Sequence, residues 1–196
     1  KDKHKLYALH APEVECIGKG KARQPYEFGV KVGIAVTAKK GLVIGARSFP
    51  GNPYDGDTLD EHLEQTAILT GVVPKTAIVD LGYRGRQPEH ITVVHRGKKK
   101  TLTPPQIRLL KRRQAVEPTI GHLKDGHRMR RCFLKGQMGD ALNVVLAAAG
   151  YNIRWLMRWI VSSWAKILSL LISHWREAEA IAPHQRLSSQ PHATVA

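Results

Sequence analysis

The chain has 196 residues, with 31 Lys and Arg against 16 Asp and Glu, for a formal charge of +15. A hydrophobic share of 42% excludes a wholly disordered chain, and the length fits one domain able to bury a core. Two cysteines, Cys16 and Cys132, lie outside any Cys-x-x-Cys pair, which excludes a zinc ribbon or a redox motif, and the basic excess favours a polyanionic partner, nucleic acid or an anionic surface.

Residues 1–25 form a polar, basic segment with Gly18, Gly20 and Pro25, where little regular structure is expected. Lys1-Asp2-Lys3-His4-Lys5 is not followed by a long apolar stretch, so it does not read as a signal peptide. Phe28, Val30, Val32, Ile34 and Val36 alternate with Gly29, Lys31, Gly33, Ala35 and Thr37, a period of two that predicts a strand. Lys39-Lys40-Gly41 is a turn, and Leu42 to Ala46 a second strand, giving a hairpin. Pro50 to Gly56 is dense in turn formers. Asp57 or Thr58 can cap a helix that carries Leu59, Leu63, Ala67 and Ile68 on one face to about Thr70, where Gly71 stops it.

Thr76-Ala77-Ile78-Val79 reads as a short strand delivering Asp80 to the turn Leu81-Gly82-Tyr83-Arg84-Gly85. Ile91 to Val94 is another strand, and Gly97-Lys98-Lys99-Lys100 a basic loop. A helical pattern runs from Pro104 through Lys124, breaks at Gly136 and Gly139, and resumes from Asp140 to about Trp175 with Leu142, Val145, Leu146, Ala149 and Ile153 on one side. The apolar run Ile160 to Ser173 is short for a membrane span of about 20 residues and reads as a buried or interface helix. The last twenty residues read as a disordered tail.

Two acids stand out. Asp80 ends an apolar strand ahead of a glycine-bounded turn, a common place for a site, although on local sequence alone the turn preference of Asp favours a cap of that turn. Glu117 lies among cations in Arg113-x3-Glu117-x6-Lys124. On one continuous helix those three positions fall within about 40° of each other. Pro118 leaves two options: a helix kinked at Glu117, or a new helix with Pro118 at its first position. An ordinary Arg–Glu pair at i, i+4 accounts for Arg113 and Glu117 as well as a site does. A carboxylate that holds Mg²⁺ among cations that hold phosphate is what phosphoryl transfer on DNA requires.

With these residues in place, the chain resembles the DDE transposases of bacterial insertion sequences, in the group marked by Tyr-x2-Arg-x3-Glu-x6-Lys. Arg113, Glu117 and Lys124 match the spacing, while Leu110 stands at the tyrosine position. Ala115 to Lys124 is similar to that family's block around its catalytic glutamate, and Val79 to Gly85 to its block around the second aspartate. Pro50 to Gly56 and Tyr26 to Gly29 are similar to family segments too, and the likeness runs from about Leu6 to Trp159.

The resemblance implies an α/β fold: a ribonuclease H-like core lacking its first strand (26–135), after the basic segment 1–25 and before a helical region (136–176) and the tail (177–196). It implies Asp80 and Glu117 as catalytic, metal-holding acids for two Mg²⁺ or Mn²⁺ ions in the complete enzyme. Arg113 and Lys124 would contact DNA phosphate, joined by Arg84, Arg112, His122 and Arg128. The family's first aspartate lies on a strand before the hairpin, and Asp2, among lysines, is no replacement for it. The chain is therefore expected to be the C-terminal part of a transposase, a truncated copy or the second half of a split frame, inactive alone. Its expected partners are double-stranded DNA, an upstream transposase half and a second copy in a homodimer, with no membrane, in the bacterial cytoplasm at the nucleoid. A non-catalytic DNA-binding remnant and a nuclease of the same fold are the competing readings.

Overall fold

A computed structural model describes residues 5–20, 22–85 and 87–181. Contacts divide the chain into Lys1–Ile153 and Arg154–Ala196. The first unit is mixed α/β, built on three two-stranded ladders among the described residues.

β1 (Glu15–Gly18) and β2 (Tyr26–Gly29) pair antiparallel, from Glu15 opposite Gly29 to Gly18 opposite Tyr26. Regular structure thus begins before Tyr26, and the alternating run from Phe28 is not one strand. It breaks at Gly29, whose φ of +148° is a backbone shape that side chains with a Cβ disfavour. β3 (Lys31–Val36) then pairs antiparallel with β4 (Val43–Phe49). The predicted turn between them is present: Gly41 adopts φ +67°, and its N–H donates to the Thr37 carbonyl at 3.0 Å.

A 3₁₀ turn at Asp55–Thr58 leads into α1 (Leu59–Thr70), which Gly71 ends in the left-handed conformation as expected. Thr58 stands at the cap position, but its hydroxyl donates to the Asp55 carbonyl at 2.7 Å instead. The buried stripe is Leu59, His62, Leu63 and Thr66, spaced i, i+3, i+4, i+7, and Ile68 is 74% exposed. Bare glycines on the hairpin select this face. A Cβ at Gly45 would meet Thr66 Oγ1 at 2.6 Å, and one at Gly33 would meet Phe49 at 3.0 Å.

β5 (Thr76–Ile78) and β6 (Thr92–Val94) run parallel. Arg96–Thr101, expected as a loop, winds as 3₁₀ helix. The helical stretch from Pro104 is two helices: α2 (Pro104–Arg112), opened by a reciprocal Thr103/Gln106 capping box, and α3 (Val116–Gly126), with a 3₁₀ segment at Arg113–Ala115 between them. α4 runs Gly136–Ile181, so Gly139 lies inside it, and Gly136, at φ +70°, opens it. The expected apolar side of α4 is not the buried one. Val144, Ala147 and Ala148 face the core, whereas Leu142, Val145, Leu146 and Ile153 are exposed. The helix is apolar nearly all round, so periodicity could not choose a face, and the small alanines set the close approach.

Two separate cores result. One joins Val43 and Ala46 to Leu123 of α3 and to Val144, Ala147 and Ala148 of α4. The other joins Leu59 and Leu63 of α1 to Val79 and Val93. Two side-chain amides pin helices to β4. Gln65 accepts from the Ala46 N–H at 3.0 Å and donates to its carbonyl at 3.2 Å, and Asn152 does the same for Val43 at 2.9 and 2.7 Å.

Arg154–Ile181, the described part of the second unit, is all helix. Its large apolar residues, Trp159, Trp164, Leu168, Leu170 and Trp175 among them, are exposed, so of the two expectations for the run from Ile160, a buried helix or an interface helix, the buried one does not hold. Gly136–Ala178 is long and apolar enough to cross a bilayer by length and composition, a test that core helices of soluble proteins also pass. The expected disordered tail lies, from residue 182 on, outside the described residues.

Candidate functional site

Asp80 follows the last β5 bond, in which the Val79 N–H donates to the Val94 carbonyl at 2.9 Å. Its backbone is still extended (φ −78°, ψ 170°), and Oδ1 accepts from the Leu81 N–H at 2.8 Å, so it does cap the turn Leu81–Tyr83. The same Oδ1 accepts from Arg113 Nη2 at 3.0 Å. Capping and charge pairing therefore fall on one oxygen. The Asp80 side chain is 59% exposed and that of Arg113 only 20%.

Arg113 reaches Asp80 and not Glu117. The one-helix geometry behind a shared Arg–Glu–Lys face fails because Arg113 belongs to the 3₁₀ segment and Glu117 to α3. Of the two options for Pro118, a new helix is the one adopted, begun two residues earlier at Val116. Pro118 falls in its first turn, where a missing N–H breaks no helical bond. Glu117 is exposed in that same turn, at the positively biased end of the helix.

The other predicted cations do not converge on Asp80. Lys124 Nζ lies 4.0 Å from Glu27 Oε2, an oxygen that also pairs with Lys19 at 2.9 Å. Arg112 donates to the Ala38 carbonyl at 2.9 Å, bracing the β3–β4 turn. The Arg84 side chain is exposed, and its carbonyl accepts from the Tyr54 hydroxyl at 3.3 Å. His122 is exposed on α3, and Arg128 is exposed just beyond it at φ +59°.

Asp55 and Tyr83 were not singled out by the sequence. A Cβ on Gly82 would fall 2.4 Å from Asp55 Oδ2, so the turn after Asp80 runs against the Asp55 carboxylate, which would have to shift for any larger residue there. Lys31 holds Asp55 at 2.9 Å and also donates to the Pro53 carbonyl. Burial raises the Tyr83 phenol above its ordinary pKa, and Asp55 adds to this. The Thr58 hydroxyl opposes the shift, and Asp80 adds a smaller push upward. The only signal available in sequence was an acid inside a turn-rich loop, which loops supply routinely.

Asp80, Glu117 and Asp55 are carboxylates, hard oxygen donors of the kind Mg²⁺ and Mn²⁺ take. Both contacts of Asp80 fall on Oδ1. Among the described residues no three His, Cys, Asp or Glu side chains are grouped closely enough to hold a metal. The donor chemistry thus fits a divalent ion, while the described residues do not close a site around one.

Asp80, Arg113 and Lys124 line a cleft of about 2290 Å³ that also runs along β3 and β5. His62 lines its wall, with neither ring nitrogen in a hydrogen bond. Burial lowers the His62 pKa to about 4. The Ile34 backbone pulls it the other way without meeting hydrogen-bond geometry, and the Arg47 charge lowers it further.

The family model described as a transposase DDE domain matches residues 4–153. No curated protein and no solved structure matches the chain.

Proposed function

The chain belongs to the transposase DDE-domain family, and from that premise we propose that it supplies Asp80, Glu117 and the phosphate-binding cations of a site that cuts and joins DNA strands at the ends of an insertion sequence. One observation carries this reading. Asp80 stands at the end of a strand in direct contact with Arg113, which lies four residues before Glu117. That contact brings the end of β5 and the start of the Arg113–Lys124 stretch to one cleft, lined by Asp80, Arg113 and Lys124 but not by Glu117, in a chain of charge +15.

Asp80 and Glu117 would hold two Mg²⁺ or Mn²⁺ ions within a ribonuclease H-like arrangement. When bound, such ions sharpen a water or 3′-hydroxyl as nucleophile and stabilise the leaving oxygen. Arg113 restrains Asp80 and brings a cation to the same point, where a phosphate can exchange places with the carboxylate. Lys124, Arg84, Arg112, His122 and Arg128 hold the DNA backbone, making affinity steeply salt-dependent. The described residues gather no third acid with these two. The reading therefore assigns the rest of the acid set to an upstream transposase half, leaves the chain inactive alone, and has a second copy share the DNA in the bacterial cytoplasm.

Calorimetry with Mn²⁺ on the whole chain, beside Asp80→Ala and Glu117→Gln, tests the proposal. Binding that both substitutions abolish, with duplex DNA affinity retained, supports it. DNA affinity without any metal binding would leave the second reading, a non-catalytic DNA-binding remnant.

A further inference from the structure

The β1–β2 ladder carries its aromatic residues on one face and its acids on the other. Directly opposed residues of an antiparallel pair share a face, and the faces alternate along each strand. Cys16 is opposite Phe28 and Gly18 opposite Tyr26, so these four share one face. Glu15, opposite Gly29, and Glu27, opposite Ile17, share the other. Tyr26 is 58% and Phe28 64% exposed. Tyr7, itself 42% exposed, packs against Phe28, with ring centroids 5.6 Å apart and planes tilted by 47°. The charges beside these rings are cationic. Lys5 Nζ stands 5.9 Å from the Tyr7 centroid, and Arg23 is exposed in the connection between β1 and β2. On the reverse face, Glu27 pairs with Lys19 at 2.9 Å and lies 4.0 Å from Lys124 of α3, the helix that carries Glu117.

We propose that this face is a stacking platform for unpaired bases of a DNA strand, built on Tyr26, Phe28 and Tyr7. It rests on the reading above in one respect, that the polyanion bound is DNA. Spacing, area and charge select this occupant. Same-face neighbours on a strand stand about 7 Å apart, twice the rise of ~3.4 Å between stacked bases, so Tyr26 and Phe28 are spaced to take a base between or across them. At their exposures the three rings offer about 300 Å² of open aromatic surface. That falls well below the ~800 Å² per partner of a stable protein interface, and it suffices for one or two bases. Lys5 and Arg23 supply the charge that complements a phosphate backbone. Bases inside a duplex already have their faces covered, so the platform discriminates in favour of unpaired strands. Every base has a π-face, so the platform accepts bases without reading their identity. Through Glu27 the ladder is joined to Lys124, which would take a phosphate of the same strand.

The test measures the affinity of the whole chain, at one salt concentration, for three DNAs: a single strand of about twelve thymines, the same strand with abasic sites in place of its bases, and a duplex. The abasic strand keeps the phosphates and removes only the stacking groups. The unaltered chain should bind the thymine strand about tenfold more tightly than the abasic one. Phe28→Leu and Tyr26→Ala should each remove most of that preference, and Phe28→Tyr should keep it. None of the three should move abasic-strand or duplex affinity by more than about twofold. Should Phe28→Leu fail to fold, Tyr26→Ala and the thymine–abasic comparison on the unaltered chain still decide. Equal affinity for thymine and abasic strands, or a loss shared by all three DNAs, would overturn the platform while duplex binding left the transposase reading in place. A chain that bound none of the three would remove both. Variants that lowered self-association and left strand binding unchanged would also overturn it, since the face would then be an interface between copies.

Discussion

The two carboxylates of the candidate site rest on different foundations. Asp80 hangs from the core of Leu59, Leu63, Val79 and Val93, at the end of a three-residue strand. Glu117 rides on α3, whose Leu123 is completely buried in the other core, against Val43, Ala46 and Val144. Arg113 spans the gap from the α3 side to Asp80. The site is thus a seam between two packing units, and its alignment depends on few bridging groups.

The largest effect expected is in the second of these units. Leu123→Ala should lower stability in urea by about 3–5 kcal/mol, the cost of a cavity at a fully enclosed leucine. A loss under about 1 kcal/mol would show that the α3 core is no firmer than its neighbour. His62 ties α1 to the hairpin across the same division. Its folded pKa of about 4 lies below the ordinary 6.5. The unfolded chain therefore binds more protons between these values, so stability is full above about pH 6.5 and falls as pH drops toward 4. The linked loss is about 3 kcal/mol. His62→Gln should flatten that part of the pH profile, and an unchanged slope would place the proton elsewhere.

Much of the Asp80 side was legible in the sequence and little of the Glu117 side. Val79-Asp80 before a glycine-bounded turn, and Gly71 as a helix stop, are local signals, and both elements formed where expected. The partner of Arg113 was not legible, because a guanidinium four residues from a glutamate reads as a helical pair until the backbone between them is known. β1 is four residues flanked by glycine, too short to show a period. The buried stripe of α4 was hidden by apolar residues on all sides.

The smaller predictions sharpen the seam itself. Asn152→Ala and Gln65→Ala each strand a backbone pair on β4, for about 1–3 kcal/mol apiece. Their effects should add, since one pins the α4 side and the other the α1 side. A clear non-additive term in the double variant would mean that the two cores respond as one. Smallest of all, Arg113→Gln should cost at most about 1 kcal/mol in stability, because its Asp80 partner is largely in water. The same variant should lower the salt slope of DNA binding by about one. An unchanged slope would show that Arg113 serves Asp80 alone.

The short 3₁₀ segment at Arg113–Ala115 acts as a phase shifter. A 3₁₀ turn advances about 120° per residue against about 100° in an α-helix, so three residues offset α3 from α2 by about 60°. That offset adds to the roughly 40° that an unbroken α-helix would leave between Arg113 and Glu117, so the two stand about 100° apart around the axis. Deleting one residue there would swing Leu123 out of its core and Glu117 with it, by about a third of a turn. Residue number in this linker, more than residue type, decides where the glutamate points.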